Sequence, residues 1–280
     1  MFKQMYAEKF MRFPEGKCKA LTFSYDDGVE ADKRLIEIFD RYNLKATFNL
    51  NNPFYGAGKH GTMDEEQAYS VYADCGHEIA LHGDRHVFLT RVPLTEAVCE
   101  ISDNRRYLED KYKRIVRGMA YAYGDYNDVV AEMLGKLGVT YARTTQSSHS
   151  FSLPENWLRL KPTCHHTECE LFTLLDKFVS ASPEQEFKKR EAWLFYVWGH
   201  SFEFDDNNDW ERIEEFAKRA SGRKDVWYAT NGQIREYVRA YENLVFSADG
   251  GIIYNPSHMP VWIETRGKIY KVNGGETVKC

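Results

Sequence analysis

Seven residues, Thr22-Phe23-Ser24-Tyr25-Asp26-Asp27-Gly28, set two carboxylates side by side at the end of an apolar-alternating stretch and run into a glycine. Adjacent acids repel, and a divalent cation bound by one of them turns that repulsion to use. His82 and His86 follow with the i, i+4 spacing of a ligand pair on one face of a helical turn. One carboxylate and two imidazoles make three protein ligands and leave a position open for water, as a catalytic zinc requires. His200 closes a later apolar strand in Trp198-Gly199-His200 and suits a general acid aimed across a cleft. Each part has a plainer reading: Asp26-Asp27-Gly28 as a turn that caps the next helix, the early histidines as surface or packing residues, and His200 as a hydrogen-bonded core residue.

The elements that must position these groups alternate between strand and helix. Short apolar runs at 20–25, 44–50, 77–81, 115–121, 139–142, 192–198 and 226–229 read as strands. Helical spacing marks 29–42, 64–75, 95–112, 127–137, 183–190, 209–220 and 231–241, with Asp64 as a cap and Gly138 as a stop. On the 95–112 helix the expected inward face runs Val98, Ile101, Arg105, Leu108, Tyr112. The polar stretch 143–169 reads as loop with one strand near 157–160. Alternation of this kind predicts a parallel sheet with helices outside it, whose strand C-terminal ends carry the active site. Asp26, Asp27, His82 and His200 all fall just past strand ends. Residues 243–280 differ: short strand-like runs separated by Asp249-Gly250-Gly251, Arg266-Gly267 and Asn273-Gly274-Gly275 predict a small antiparallel β appendage on a barrel domain spanning 1–242.

At 280 residues the chain is long enough for one large core. With 37 Lys and Arg against 42 Asp and Glu it offers no basic footprint for nucleic acid. No run is long enough to span a membrane, and residues 1–14 lack the continuous apolar core of a signal peptide, so the expected location is cytoplasmic. The six cysteines form no Cys-x-x-Cys pair and read as reduced thiols; Cys164-His165-His166 with Cys169 matches no standard structural zinc spacing.

In one order the chain carries Thr-Phe-Ser-Tyr-Asp-Asp-Gly, His-x-x-x-His, Ala120-Tyr121-Ala122-Tyr123-Gly124 and Trp198-Gly199-His200. From about residue 20 to 241 it resembles the polysaccharide deacetylases, the NodB-homology proteins of carbohydrate esterase family four. The resemblance implies an α/β fold, a distorted (β/α) barrel of seven or so units. It implies Asp27, His82 and His86 as metal ligands, Asp26 as catalytic base, His200 as general acid, and the Tyr123 backbone N–H as an oxyanion donor. The implied reaction is metal-dependent hydrolysis of an amide on an N-acetylated saccharide. Zinc is the expected metal, and Co, Ni, Mn or Fe suit the same ligands.

The chain departs from the family pattern twice. The arginine that normally pairs with the catalytic base is replaced by Ala120, and Arg143 is the candidate substitute. The aspartate that orients the catalytic histidine has no counterpart, with Glu203 and Glu168 as stand-ins. Asn49 and Asn51 suit substrate hydroxyls or turn caps, and His165 and His166 a cleft wall or an exposed loop. Two other functions compete: hydrolysis of a small non-sugar amide or ureide on the same fold, and carbohydrate binding without catalysis.

Overall fold

The structure, a computed structural model, describes residues 8–53, 61–183 and 191–280. The chain opens with β1 (Lys9–Arg12), β2 (Lys19–Asp26), α1 (Ala31–Arg41), β3 (Ala46–Leu50), α2 (Glu65–Tyr72), β4 (Glu78–Leu81) and α3 (Leu94–Tyr112). It continues through β5 (Gly118–Ala120), α4 (Asp128–Lys136), β6 (Tyr141–Arg143), β7 (Cys164–His165), α5 (Leu171–Ser180) and β8 (Trp193–Gly199). Then come α6 (Phe202–Asp206), α7 (Trp210–Ala220), β9 (Val226–Tyr228) and α8 (Asn231–Glu242). The tail holds β10 (Val245–Phe246), β11 (Ile252–Tyr254), β12 (Val261–Thr265), β13 (Lys268–Val272) and β14 (Thr277–Lys279).

Every residue of β2 is buried, which requires cover on both faces of the sheet. Parallel pairing gives the strand order β6-β5-β4-β3-β2-β8-β7. β2 is long enough to serve three neighbours: β8 along Lys19–Tyr25, β3 beside Phe23–Asp26, and β9 beside Lys19–Leu21. The sheet curls, and the segment 160–165 links its two ends. Leu160 bridges Arg143 of β6, while Cys164 and His165 pair with Val197 and Trp198 of β8. The result is the distorted (β/α) barrel the sequence implies.

Successive side chains of β2 alternate between two cores. Leu21, Phe23 and Tyr25 pack with Phe39 of α1 and Phe216 of α7. Ala20 joins Leu194 and Tyr196 of β8, Ile234 and Tyr237 of α8, and Ile253, Val261 and Ile263 of the tail. The tail forms the expected antiparallel structure, as two three-stranded sheets, β1-β12-β13 and β10-β11-β14. One of its strands, β1, comes from the chain's beginning. Arg12 and Glu264, both buried, join β1 to β12 at 2.6 Å. The Tyr237 hydroxyl ties α8 to both strands, donating to the Arg12 carbonyl at 2.5 Å and accepting from the Trp262 N–H at 2.9 Å.

Several expectations need correction. The strand expected near 157–160 is a 3-10 turn at Trp157–Arg159, and Leu160 after it makes the barrel-closing bridge. The strand expected over 115–121 shrinks to β5, with Ile115 82% exposed. The inward face of α3 is rotated to Ala97, Glu100, Ile101, Asn104, Leu108 and Tyr112, which brings two polar residues inside. β7 forms within the stretch 143–169 that reads as loop in the sequence, because Cys164 and His165 pair with β8. α5 and α6 carry no sequence expectation; α5 has its apolar signal at Leu171, Leu175 and Phe178. The helix expected at 183–190 lies outside the described residues apart from Pro183.

Candidate metal and catalytic centre

β2 delivers both acids. Asp26 is its last residue and is buried. The backbone then turns: Asp27 adopts φ 80, in the left-handed region, and its N–H bonds the Asn49 carbonyl at 3.1 Å. In a continuing strand the two carboxylates would face opposite ways. The turn instead aims both at one cleft, and His200 Nε2 lies 4.0 Å from Oδ2 of each.

His82 and His86 meet without a helical turn, which corrects the sequence expectation. His82 follows β4, and the chain folds back through Gly83 at φ 87 and His86 at φ 59. A side chain at Gly83 would be strained in that conformation. Asn51 holds the loop by donating from Nδ2 to the carbonyls of His82 at 2.9 Å and Gly83 at 2.8 Å. From α3, Asn104 Oδ1 accepts the His82 N–H at 3.2 Å and Glu100 accepts the Arg85 N–H at 2.6 Å. These are the polar residues that rotate inward on that helix.

Asp27 Oδ1, His82 Nε2 and His86 Nε2 form a triangle with sides of 3.1, 3.3 and 3.5 Å. Bonds of about 2.0–2.1 Å from a tetrahedral cation place neighbouring ligand atoms about 3.3–3.4 Å apart. The triangle therefore fits a cation, with one face left for other ligands. The tautomer fits too: His82 Nδ1 sits 2.9 Å from the Ala120 carbonyl, which takes its proton and leaves the Nε2 lone pair for a metal. Burial and the neighbouring His82 hold His86 at a pKa of about 4, so its imidazole is neutral.

Asp26 is held apart from this triangle. Arg143, also fully buried, forms an ion pair with its Oδ2, and Asn49 Nδ2 donates to its Oδ1 at 2.8 Å. Burial pushes the Asp26 carboxyl up, but the charges of Arg143, His82 and His200 more than offset it, and the pKa falls below its ordinary value. In the sheet register Ala120 pairs with Arg143. Arg143 thus stands one strand over from Ala120 at the same level, and the curled sheet lets β6 reach across to β2. The Arg143 guanidinium also lies 4.2 Å from the centre of the Trp198 ring. Asn49 is fully buried and also donates to Ser24 Oγ at 2.7 Å, so it braces the acid and meets no substrate hydroxyl.

His200 projects from the end of β8. Behind it stands Glu203, whose Oε2 lies 3.4 Å from His200 Nδ1 and accepts the His200 N–H at 3.0 Å. Burial lowers the His200 pKa, but Glu203, Asp26 and Asp27 raise it further, so the ring favours the protonated form. Glu168 serves elsewhere, bonded to Ser147, His149 and the His165 N–H. Sequence reasoning reached Glu203 only as one of two guesses, because the short helix that bears it, α6, had no periodic signal.

Tyr123 sits in a 3-10 turn at Ala122–Gly124 with φ 58. The residue is 54% exposed, and its ring meets His86 edge-on at 4.4 Å and stacks on Phe88 at 3.9 Å. It forms a wall of the cleft beside the cation triangle. A narrow recess meets the triangle at Asp27 and is lined by Leu50, Met63, Tyr72 and Leu108.

Known proteins give the fold a wider setting. The model of the family described as Polysaccharide deacetylase matches residues 13–142. No curated protein matches the sequence. A putative polysaccharide deacetylase from Mycobacterium smegmatis has a similar structure, with TM-score 0.58, 20% identity, and coverage of 83% of this chain and 94% of that one. The Xyl-CE4 domain of a multidomain xylanase from the Trinervitermes trinervoides hindgut metagenome gives TM-score 0.51, 15% identity, and coverage of 80% and 92%. The Streptococcus pyogenes deacetylase PplD, solved with acetate, gives TM-score 0.44 and 21% identity; the match covers 49% of this chain and 61% of that protein. No helix among the described residues is long and apolar enough to cross a membrane.

Proposed function

We propose that this chain, whose residues 13–142 match the model of the polysaccharide deacetylase family, is a metal-dependent hydrolase that removes acetyl groups from an N-acetylated saccharide. The observation that carries this reading is the triangle of Asp27, His82 and His86, flanked on one side by Asp26 and on the other by His200. A cation held by the triangle would supply Lewis acidity, lowering the pKa of water and polarising an amide carbonyl. Zinc fits two imidazoles and one carboxylate, as do cobalt, nickel, manganese and iron.

The chain's own residues divide the proton transfers. Asp26, kept ionised by Arg143, takes a proton from the attacking water. Asn49 holds the other carboxylate oxygen, so the accepting atom is fixed in place. His200, kept protonated by Glu203 and the two aspartates, donates from Nε2 to the departing amine, which is otherwise a poor leaving group. The Tyr123 backbone N–H is the expected donor to the oxyanion, and its left-handed turn sets the direction of that group. The narrow recess beside Asp27 suits a group no larger than a small acyl methyl.

Acetate release from a panel of N-acetylated sugars and oligosaccharides, with and without chelator, tests the proposal. Asp26→Asn and His200→Ala should each lose about 10²–10⁴-fold in turnover while staying folded. Release that survives both substitutions unchanged would remove these residues from the reaction. A carbohydrate-binding protein without catalysis would bind the panel and release no acetate.

A further inference from the structure

Beside the catalytic centre lies a second group of ligating side chains. Glu203 Oε2 is 3.2 Å from His165 Nε2 and 3.2 Å from His166 Nε2. The three ligating atoms all lie within 4.8 Å of one another. The two edges that meet at Glu203 fall near the edge length of about 3.3–3.4 Å expected around a tetrahedral cation.

The attraction of the two imidazoles to the Glu203 carboxylate accounts for only part of this convergence. His166 is fully buried, and its Nε2 is a buried atom with no hydrogen-bond partner among the described residues, although a carboxylate oxygen lies 3.2 Å away. The two atoms are close but misaligned for a bond with each other. Ligands of a common ion share that property, since their lone pairs point at the ion. A buried, unsatisfied ring nitrogen is costly and calls for a partner the protein itself does not supply.

The His166 tautomer agrees. His166 Nδ1 faces the Tyr25 hydroxyl at 3.2 Å, and that oxygen can take the Nδ1 proton and leave Nε2 as the free ligand. His165 Nδ1 lies 2.7 Å from Thr167 Oγ1 and accepts from the Thr167 N–H at 3.3 Å. Burial holds His166 at a pKa of about 4, so the ring is neutral and its lone pair available. The backbone makes room for it: a Cβ at Gly199 would lie 2.2 Å from His166 Nδ1. The glycine of Trp198-Gly199-His200 is therefore needed to seat His166.

We propose that His165, His166 and Glu203 form a second binding site for a transition-metal cation of the zinc class, adjacent to and separate from the Asp27, His82 and His86 site. It shares no ligand with the first. Two imidazoles and a carboxylate again select a borderline-soft ion over calcium or magnesium.

Metal analysis after equilibrium dialysis tests this. Untagged protein is stripped with chelator, dialysed against buffered Zn²⁺, and analysed for zinc per chain. Wild type should hold about two, His165→Ala about one, His82→Ala about one, and the double variant none. His165 is partly exposed, so its removal leaves the core intact, and circular dichroism checks the fold of each variant. Glu203→Gln provides a second probe of the same site and should also hold about one. One zinc in wild type, unchanged in His165→Ala and lost in His82→Ala, overturns the second site and leaves the first standing. One zinc lost in His165→Ala but kept in His82→Ala would do the reverse.

Discussion

At the scale of single residues, the account turns on two groups driven in opposite directions. Asp26 is ionised because Arg143 offsets its burial. Substituting Arg143→Met removes that offset, so the Asp26 pKa should rise and the acid limb of the pH–rate profile should move to higher pH. An unpaired buried carboxylate should also cost about 3–5 kcal/mol of stability, measurable by urea denaturation. An unmoved acid limb would show that Arg143 does not tune the base. His200 titrates above its ordinary value of 6.5 because Glu203 and the aspartates stabilise its charge. Activity should therefore fall on the alkaline side as His200 loses its proton. Glu203→Gln should pull that alkaline limb to lower pH, and His200→Ala should abolish it. A limb that stays in place in both variants would assign it to another group.

At the scale of elements, the strands that carry the chemistry were legible and the connections that complete it were not. β8 is a continuous apolar run, while β2, β3 and β4 are short apolar stretches broken by polar residues; β2, β4 and β8 each end at or next to a candidate site residue. The Asp26 to Gly28 turn, the Asp64 cap and the Gly138 stop all follow from residue type. Asp64 accepts from the N–H groups of Glu66 at 3.0 Å and Gln67 at 2.8 Å, so Asp64→Ala should cost about 1 kcal/mol. What sequence periodicity missed was set by tertiary contact. The His82 to His86 loop takes its shape from Asn51, Glu100 and Asn104, which lie far away in sequence. α6, five residues long, is too short to show a period, yet it carries Glu203. The role of Arg143 depends on its register with Ala120, which no linear pattern contains. Gly199→Ala offers a test of how tightly β8 and β7 are fitted. Its methyl group would collide with the His166 ring, so it should destabilise the fold by about 1–3 kcal/mol. A thermal midpoint equal to wild type would show that the ring moves aside freely.

At the scale of the whole molecule, one buried acid links the elements around the site. Asp32 of α1 accepts hydrogen bonds from Tyr72 of α2 at 2.5 Å and from Ser201, next to His200, at 2.5 Å. Burial outweighs both bonds and raises its pKa to about 7. The folded state therefore holds a proton that the unfolded chain, with a carboxyl pKa of about 3.9, releases. Its contribution to stability is complete below that value and is lost as pH rises through about 7. Asp32→Asn, which stays neutral, should gain stability relative to wild type on going from pH 5 to pH 8, read as the difference in urea midpoints. A constant difference across that range would show that Asp32 does not titrate there. The tail is integrated at the same scale: β1 and β12 join the two ends of the chain through the buried Arg12 and Glu264, and α8 fastens both to the barrel.

The central claim is that Asp27, His82 and His86 hold one cation with a face open to substrate. The most direct measurement is an anomalous difference map at the zinc edge, from crystals of chelator-stripped protein resupplied with Zn²⁺. A peak about 2.0–2.2 Å from Asp27 Oδ1, His82 Nε2 and His86 Nε2 is the predicted result. Crystals that take up zinc elsewhere and leave no peak among those three atoms would contradict the account.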